Sequence, residues 1–288
     1  MSGTMPPLDG KTCVITGATS GIGLATAEGL AHLGARLVLV GRDRAKGEAT
    51  LSRLRAQRPD CDATVLYADL AALAGVRRAA TEILAAAPRI DVLINNAGAI
   101  FNRRSETEDR LERTFALNHL AYFLLTRLLQ ERIAASAPAR IVVVASRAHQ
   151  GASLDFDDLQ MARHYDGWTA YRRSKLYNIL FTRALARRLA GTGVTANALH
   201  PGFVASRFGD NNRGLFRFGL ALAKRVVALS TKQGAETSIH LAASPEVASA
   251  TGLYFAKCAA VTPSRAAQDD AAAERLWQES ARLAGVPA

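Results

Sequence analysis

The chain has 288 residues, 49% hydrophobic and 21% charged, proportions that give a folded core and exclude a disordered or low-complexity chain. Its apolar runs are broken by Arg, Gly or Glu well short of the roughly 18 residues of a membrane span, and the start, "MSGTMPPLDG", has no signal-peptide pattern, so a cytoplasmic location is expected. The net charge of +11 comes mostly from arginines scattered over helical stretches such as "LSRLRAQR" and "RALARRL", without an aromatic-interleaved cluster, which argues against nucleic-acid binding as the main role.

Strand-like apolar runs alternate with helical patterns along the chain. Strands are predicted at 12–16, 36–41, 63–68, 92–95, 140–145, 194–199 and 252–255. Helices are predicted near 21–33, 44–57, 73–87, 107–135, 169–190 and 231–243. Strands apolar on both faces and separated by helices imply a parallel sheet covered on each side, hence a doubly wound α/β fold in a single domain. In such sheets ligands lie at the carboxyl ends of the strands, where the strand order reverses. Cys13, Cys61 and Cys258 are far apart and have no metal-ligand spacing, so neither a disulfide framework nor a metal site is expected.

The first strand runs directly into "TGATSGIG", with Gly17, Gly21 and Gly23 ahead of a helix. Glycine permits the turn at Gly17, close backbone approach to a pyrophosphate at Gly21, and tight helix–strand packing at Gly23, while the helix N-terminus faces the anion. About 20 residues on, enzymes that use NAD place a carboxylate on the ribose diol. Here the second strand ends at Gly41 and Arg42 follows, a cation suited to a 2′-phosphate, which favours NADP(H). The alternative has Arg42 in solvent and Asp43 on the ribose. Further on, "YADL" places Asp69 and Leu70 beside the adenine, and "VLINNAG" puts a small polar turn, Asn95 to Gly98, at the end of the fourth strand.

"YRRSK" puts Tyr171 and Lys175 four apart on one helix face. Ser146, at the end of the "RIVVVAS" strand, can hydrogen-bond a carbonyl while the tyrosine supplies or removes a proton. A free tyrosine has a pKa of about 10. A lysine ammonium about 4 Å away, at an effective dielectric of about 20, would favour phenolate by roughly 4 kcal/mol, or about three pKa units, before desolvation.

With "TGATSGIG", "NNAG", Asn118 in "ALNHL", Ser146, "YRRSK" and "HPG" at 200–202 all in order, the sequence resembles the short-chain dehydrogenase/reductase family over nearly its whole length. The stretch from "SRAHQGASLDFDDL" through "AYRRSKLYNILFTRALARRLAGTGVTANALHPG" is similar to the retinol dehydrogenase and WW-domain oxidoreductase branch. The resemblance implies a Rossmann fold and hydride transfer between NADP(H) and a carbonyl or alcohol. It implies Tyr171 as general acid-base, Lys175 on the nicotinamide ribose, Ser146 orienting the carbonyl, and Asn118 holding a water that links Lys175 to solvent. The expected cofactor contacts are Gly17, Thr19, Ser20, Gly21, Ile22, Gly23, Arg42, Asp69, Leu70, Asn95, Ala97, Gly98, Tyr171, Lys175, Pro201, Gly202 and Val204.

Family resemblance also makes 203–230 a helical substrate lid, in which Phe203, Phe208, Phe216 and Leu220 suit an apolar carbonyl compound; a basic amphipathic helix there could instead rest weakly on a membrane surface. His119, His149, His164 and His200 share no metal-ligand spacing and are read as packing or support. Trp168 and Tyr177 are packing groups or lining of the pocket entrance. Members of this family often pair through the two long helices, so a homodimer or homotetramer is expected. From another functional class comes the reading of a nicotinamide-sensing regulator or scaffold without turnover, which has little need of an intact Asn, Ser, Tyr and Lys set.

Overall fold

The computed structural model describes residues 7–202 and 230–288. Among them, eight strands form one sheet: β1 (Thr12–Thr16), β2 (Arg36–Gly41), β3 (Ala63–Tyr67), β4 (Val92–Asn95), β5 (Ala139–Val144), β6 (Val194–Leu199), β7 (Tyr254–Ala256) and β8 (Ala259–Ala260). The spatial order is β3-β2-β1-β4-β5-β6-β7-β8, parallel except for the antiparallel β7–β8 edge pair. The helices are α1 (Gly21–His32), α2 (Arg44–Gln57), α3 (Leu73–Ala86), α4 (Arg113–Phe115), α5 (Ala121–Ala135), α6 (Gly167–Arg188), α7 (Thr231–Ala243) and α8 (Asp270–Ala284). This is the doubly wound α/β arrangement expected from the alternation of strands and helices.

The pleat explains the two-sided burial. All five residues of β1 are buried: Val14 joins the core shared with α3, α5 and α6, while Cys13 and Ile15 join the opposite core with α1 and α7. Strand order reverses between β1 and β4, so their carboxyl ends open a crevice there.

One predicted helix needs correction, and one helix was not predicted. The helix expected over 107–135 starts only at Arg113, because Glu112 is its N-cap and its carboxylate accepts from the N–H groups of Thr114 and Phe115, both at 2.7 Å. Just upstream, Asp109 is committed elsewhere, accepting from Leu73 N–H at the head of α3 at 2.8 Å. Between α4 and α5 the helix widens into a π-turn, Ala116–Leu120, which carries Asn118. The unpredicted helix is α8. Its buried residues, Ala272, Ala273, Leu276, Trp277, Ser280, Ala281 and Ala284, form one stripe at helical spacing, capped by Asp269 at one end and Gly285, in the left-handed region, at the other.

Helix α8 packs along α6 and against α5. Trp277 is buried there, 4.9 Å edge-on from Phe123 and stacked 6.0 Å from Phe181, with Arg188 over its ring at 4.1 Å. The long helices expected to pair two subunits thus carry a helix of their own chain. The lid at 203–230, with Phe203, Phe208, Phe216 and Leu220, lies outside the described residues except for Ser230, which caps α7. No helix among the described residues is long and apolar enough to cross a membrane.

Candidate active site

The crevice is floored by the glycine loop. Gly17 has φ +66°, and a Cβ there would lie 2.8 Å from Ala97 Cα; a Cβ on Gly23 would run into the Gly17 carbonyl oxygen. The loop therefore lies flat against β4 and the first turn of α1. Ser20 is the N-cap of α1 but makes no side-chain capping bond, so the amides of the first turn keep their capacity for an outside acceptor. Gly21, at φ +56°, starts the helix, with Ile22 half-buried behind it. Thr19 abuts the end of β2: its Cγ2 would be 2.6 Å from a Cβ on Gly41.

Asn96, which was not among the predicted residues, fixes this floor. Its Nδ2 donates to the carbonyls of Thr16 at 2.8 Å and Gly17 at 3.2 Å, while Thr16 Oγ1 accepts from the N–H groups of Asn96 at 2.9 Å and Ala97 at 3.0 Å. Asn95, the predicted one, turns the other way: it is fully buried and donates to Thr126 Oγ1 on α5 at 2.9 Å. Successive residues at a strand end alternate sides, which separates the two asparagines.

Arg42 is exposed just past β2. Its rival Asp43 is engaged, as the N-cap of α2, accepting from Lys46 N–H at 3.0 Å and facing Lys46 Nζ at 3.5 Å. The backbone bond from Lys46 holds the Asp43 carboxyl below its usual range. After β3, Asp69 is exposed and accepts from Ala71 N–H at 3.0 Å, whereas the Leu70 side chain turns into the core. Pro201 and Gly202 follow β6 at the same end of the sheet, and Val204 lies outside the described residues.

The residues expected to react converge at the ends of β4 and β5. Asn118 makes two bonds with Ala99, accepting from its N–H at 2.9 Å and donating to its carbonyl at 2.8 Å, and also donates to Ser174 Oγ at 3.1 Å. Ser174 in turn donates to the Tyr171 carbonyl at 2.7 Å. This links the π-turn to α6. Lys175 is buried and its Nζ donates to the Val144 carbonyl at 3.0 Å. Gly98 closes the group from above: a Cβ there would lie 3.3 Å from Asn118 Oδ1 and 3.5 Å from Lys175 Nζ. Ser146 hydrogen-bonds the Tyr171 phenol and also accepts from Ala148 N–H at 3.2 Å. An oxygen already accepting a backbone N–H is free to direct its own O–H at the phenol oxygen or at a substrate oxygen.

Electrostatics here differ from the sequence estimate. Burial pushes Tyr171 up to about 12, with the Ser146 bond pulling the other way, and burial pushes Lys175 down to about 7. Lys175 Nζ is directed at Val144 and lies 5.7 Å from the Tyr171 ring centroid. Burial thus dominates at Tyr171 and disfavours its phenolate.

A glycine floor without side chains, an uncapped helix N-terminus and a Lys–Tyr pair under Gly98 fit a dinucleotide. The model for short chain dehydrogenases matches residues 11–214. The chain belongs to the short-chain dehydrogenase family. Across 295 residues it is 42% identical to retinol dehydrogenase 14 of Mus musculus, covering 97% of this chain and 87% of that one. Among solved structures, an uncharacterised protein from Mycobacterium paratuberculosis aligns with TM-score 0.78 at 33% identity, over 98% of this chain and 96% of the other. The complex of Pseudomonas aeruginosa RhlG with NADP aligns with TM-score 0.70 at 26% identity, over 88% and 97%. This short-chain dehydrogenase is therefore an NAD(P)-dependent oxidoreductase of the retinol dehydrogenase-like branch.

Two further groups stand beside the reacting centre. Trp168, one turn before Tyr171, is 45% exposed and stacks on its ring at 5.6 Å with an interplanar angle of 28°. Tyr177 is buried in the aromatic core with Phe115 and His119, a packing group.

Proposed function

We propose that the chain reduces carbonyl groups on apolar small molecules with NADPH, and runs the reverse oxidation, by hydride transfer. The observation that carries this reading is the convergence of Asn118, Ser146, Tyr171 and Lys175 beside the glycine floor. When bound, the nicotinamide supplies or accepts the hydride. Gly17 to Gly23 and the head of α1 would hold the pyrophosphate, and Lys175 the nicotinamide ribose.

In the reducing direction, Ser146 Oγ–H and the Tyr171 phenol both donate to the carbonyl oxygen. The tyrosine gives up its proton as charge develops there. Lys175, beneath the phenol, stabilises the phenolate left behind. Asn118 holds the π-turn against Ala99 and would place the water through which the proton is replaced. The exposed indole of Trp168 beside the phenol supports an apolar substrate.

NADPH is favoured over NADH because Arg42 is exposed past the end of β2 with no ion-pair partner among the described residues, while Asp43 is spent on its helix cap. The test is a comparison of kcat/KM for the two cofactors in wild type and Arg42→Ala. Wild type should prefer NADPH, and the variant should lose about 1.5–3 kcal/mol of that preference, the worth of a hydrogen bond to a charged group. An NADH preference in wild type would overturn the assignment. A cytoplasmic location belongs to the same proposal and is read by cell fractionation.

A further inference from the structure

We propose that His149 is a positioning residue, a neutral imidazole that clasps the turn bearing Ser146 to the segment between β8 and α8. The inference rests on the carbonyl chemistry proposed for Ser146.

Two backbone groups fix where the ring's proton sits. Ser264 N–H lies 3.1 Å from His149 Nε2, and an N–H only donates, so Nε2 carries the lone pair. The proton is therefore on Nδ1, which lies 2.7 Å from the Ser146 carbonyl oxygen, a group that only accepts. The same carbonyl also accepts His149 N–H, at 3.1 Å. The ring is fully buried and meets Tyr254 edge-on at 5.0 Å, with the Tyr254 phenol oxygen 3.4 Å from Nδ1. An imidazole there for bulk alone would not need both of its nitrogens matched to backbone partners of opposite type.

The clasp acts on the reacting serine through its own backbone. Upstream, the chain is anchored by the bond from Ala145 N–H to the Leu199 carbonyl at 2.8 Å. Downstream, Ser146 heads a 3-10 turn, Arg147–Gly151, and His149 holds that turn from the far side. The direction of Ser146 Oγ toward Tyr171 depends on both anchors. A protonated ring would set a second N–H against Ser264 N–H, donor against donor, and open the downstream one. The charged and titratable groups around it are Arg147 on its own turn, Arg172 on α6 (which reaches the Gly151 carbonyl), Tyr254 on β7 and His200 past β6. Burial holds the ring neutral, with the bond to the Ser146 carbonyl pulling the other way.

The test combines ring NMR with kinetics. Long-range proton–nitrogen spectra of the full chain, with the His149 signal assigned by its loss in His149→Gln, should show the Nδ1–H tautomer at neutral pH. His149→Ala should lower kcat for NADPH-driven reduction roughly 10- to 100-fold, the usual cost of a misplaced reacting group, with KM for NADPH within about twofold. His149→Gln offers an amide donor and a carbonyl acceptor with no titrating proton, and should restore most of kcat while flattening the acid limb of the pH profile. An Nε2–H or protonated ring, or wild-type kcat in His149→Ala, would overturn the proposal. Should His149→Ala fail to fold, a glutamine variant that leaves the acid limb unchanged would overturn it as well. Wild-type protein inactive on every carbonyl tried would count against the proposed function, and the tautomer would still decide the clasp.

Discussion

His119 is buried in the π-turn beside Asn118, bonded to Ser280 on α8 at 2.8 Å, and burial pushes its pKa down to about 3. The folded state thus binds no proton here while the unfolded chain takes one up below its ordinary 6.5. This group's stabilising effect is complete above that value. It is lost as pH falls towards 3, at up to about 1.4 kcal/mol per pH unit, and His149 and His200, also shifted down by burial, add to the slope. Urea midpoints should therefore drop between about pH 7.5 and about pH 5, and less steeply in His119→Gln; equal slopes would show that His119 does not carry the effect. The sequence made these histidines legible as supports and no more, because their partners, Ser280 and Ser264, are far away in the chain. The same limit explains Tyr171: its spacing from Lys175 is local, but the sign of its shift depends on burial, which the spacing does not carry.

Elements were read best where their signals are local. The glycine loop, the end of β2 and the Tyr–Lys face of α6 are each written within a few residues and were placed correctly. At the end of β4 the motif was legible but not that Asn96, rather than Asn95, bonds the glycine floor, since that depends on which side of the strand faces α5. Helix α8 was missed because its buried stripe is mostly alanine, weak in contrast to its flanks, although Asp269 and Gly285 marked its ends. Its anchor is Trp277, and Trp277→Ala should cost about 3–5 kcal/mol in urea unfolding. Of its ion pairs, Arg183 and Arg187 with Asp270 and Arg188 with Glu274, that of Arg187 is exposed on both sides, so Arg187→Ala should cost no more than about 1 kcal/mol. A larger loss for the arginine than for the tryptophan would reverse this ranking.

At the scale of the molecule, the parallel sheet and its reversal point were legible because two-sided burial leaves a continuous apolar record in central strands such as β1, β2 and β4. Assembly was not. Pairing through α5 and α6 was the family expectation, yet α8 lies along α6, tied to it by Trp277 and three arginines. Pairing through that surface would require α8 to leave. Any dimer, at twice the 30.7 kDa of one chain by light scattering, should accordingly leave hydrogen exchange on α6 unchanged, and a dimer with new protection on α6 would contradict this. The central claim is that Tyr171, held protonated beside Ser146 and Lys175, is the proton donor of an NADPH-dependent carbonyl reductase. The most direct measurement is NADPH oxidation with a panel of apolar aldehydes and ketones, run on wild type and Tyr171→Phe with NADPH binding measured on both. Turnover in wild type that disappears in the variant, with binding retained, is the predicted result; turnover that survives the loss of the phenol, or binding without turnover in wild type, would contradict it.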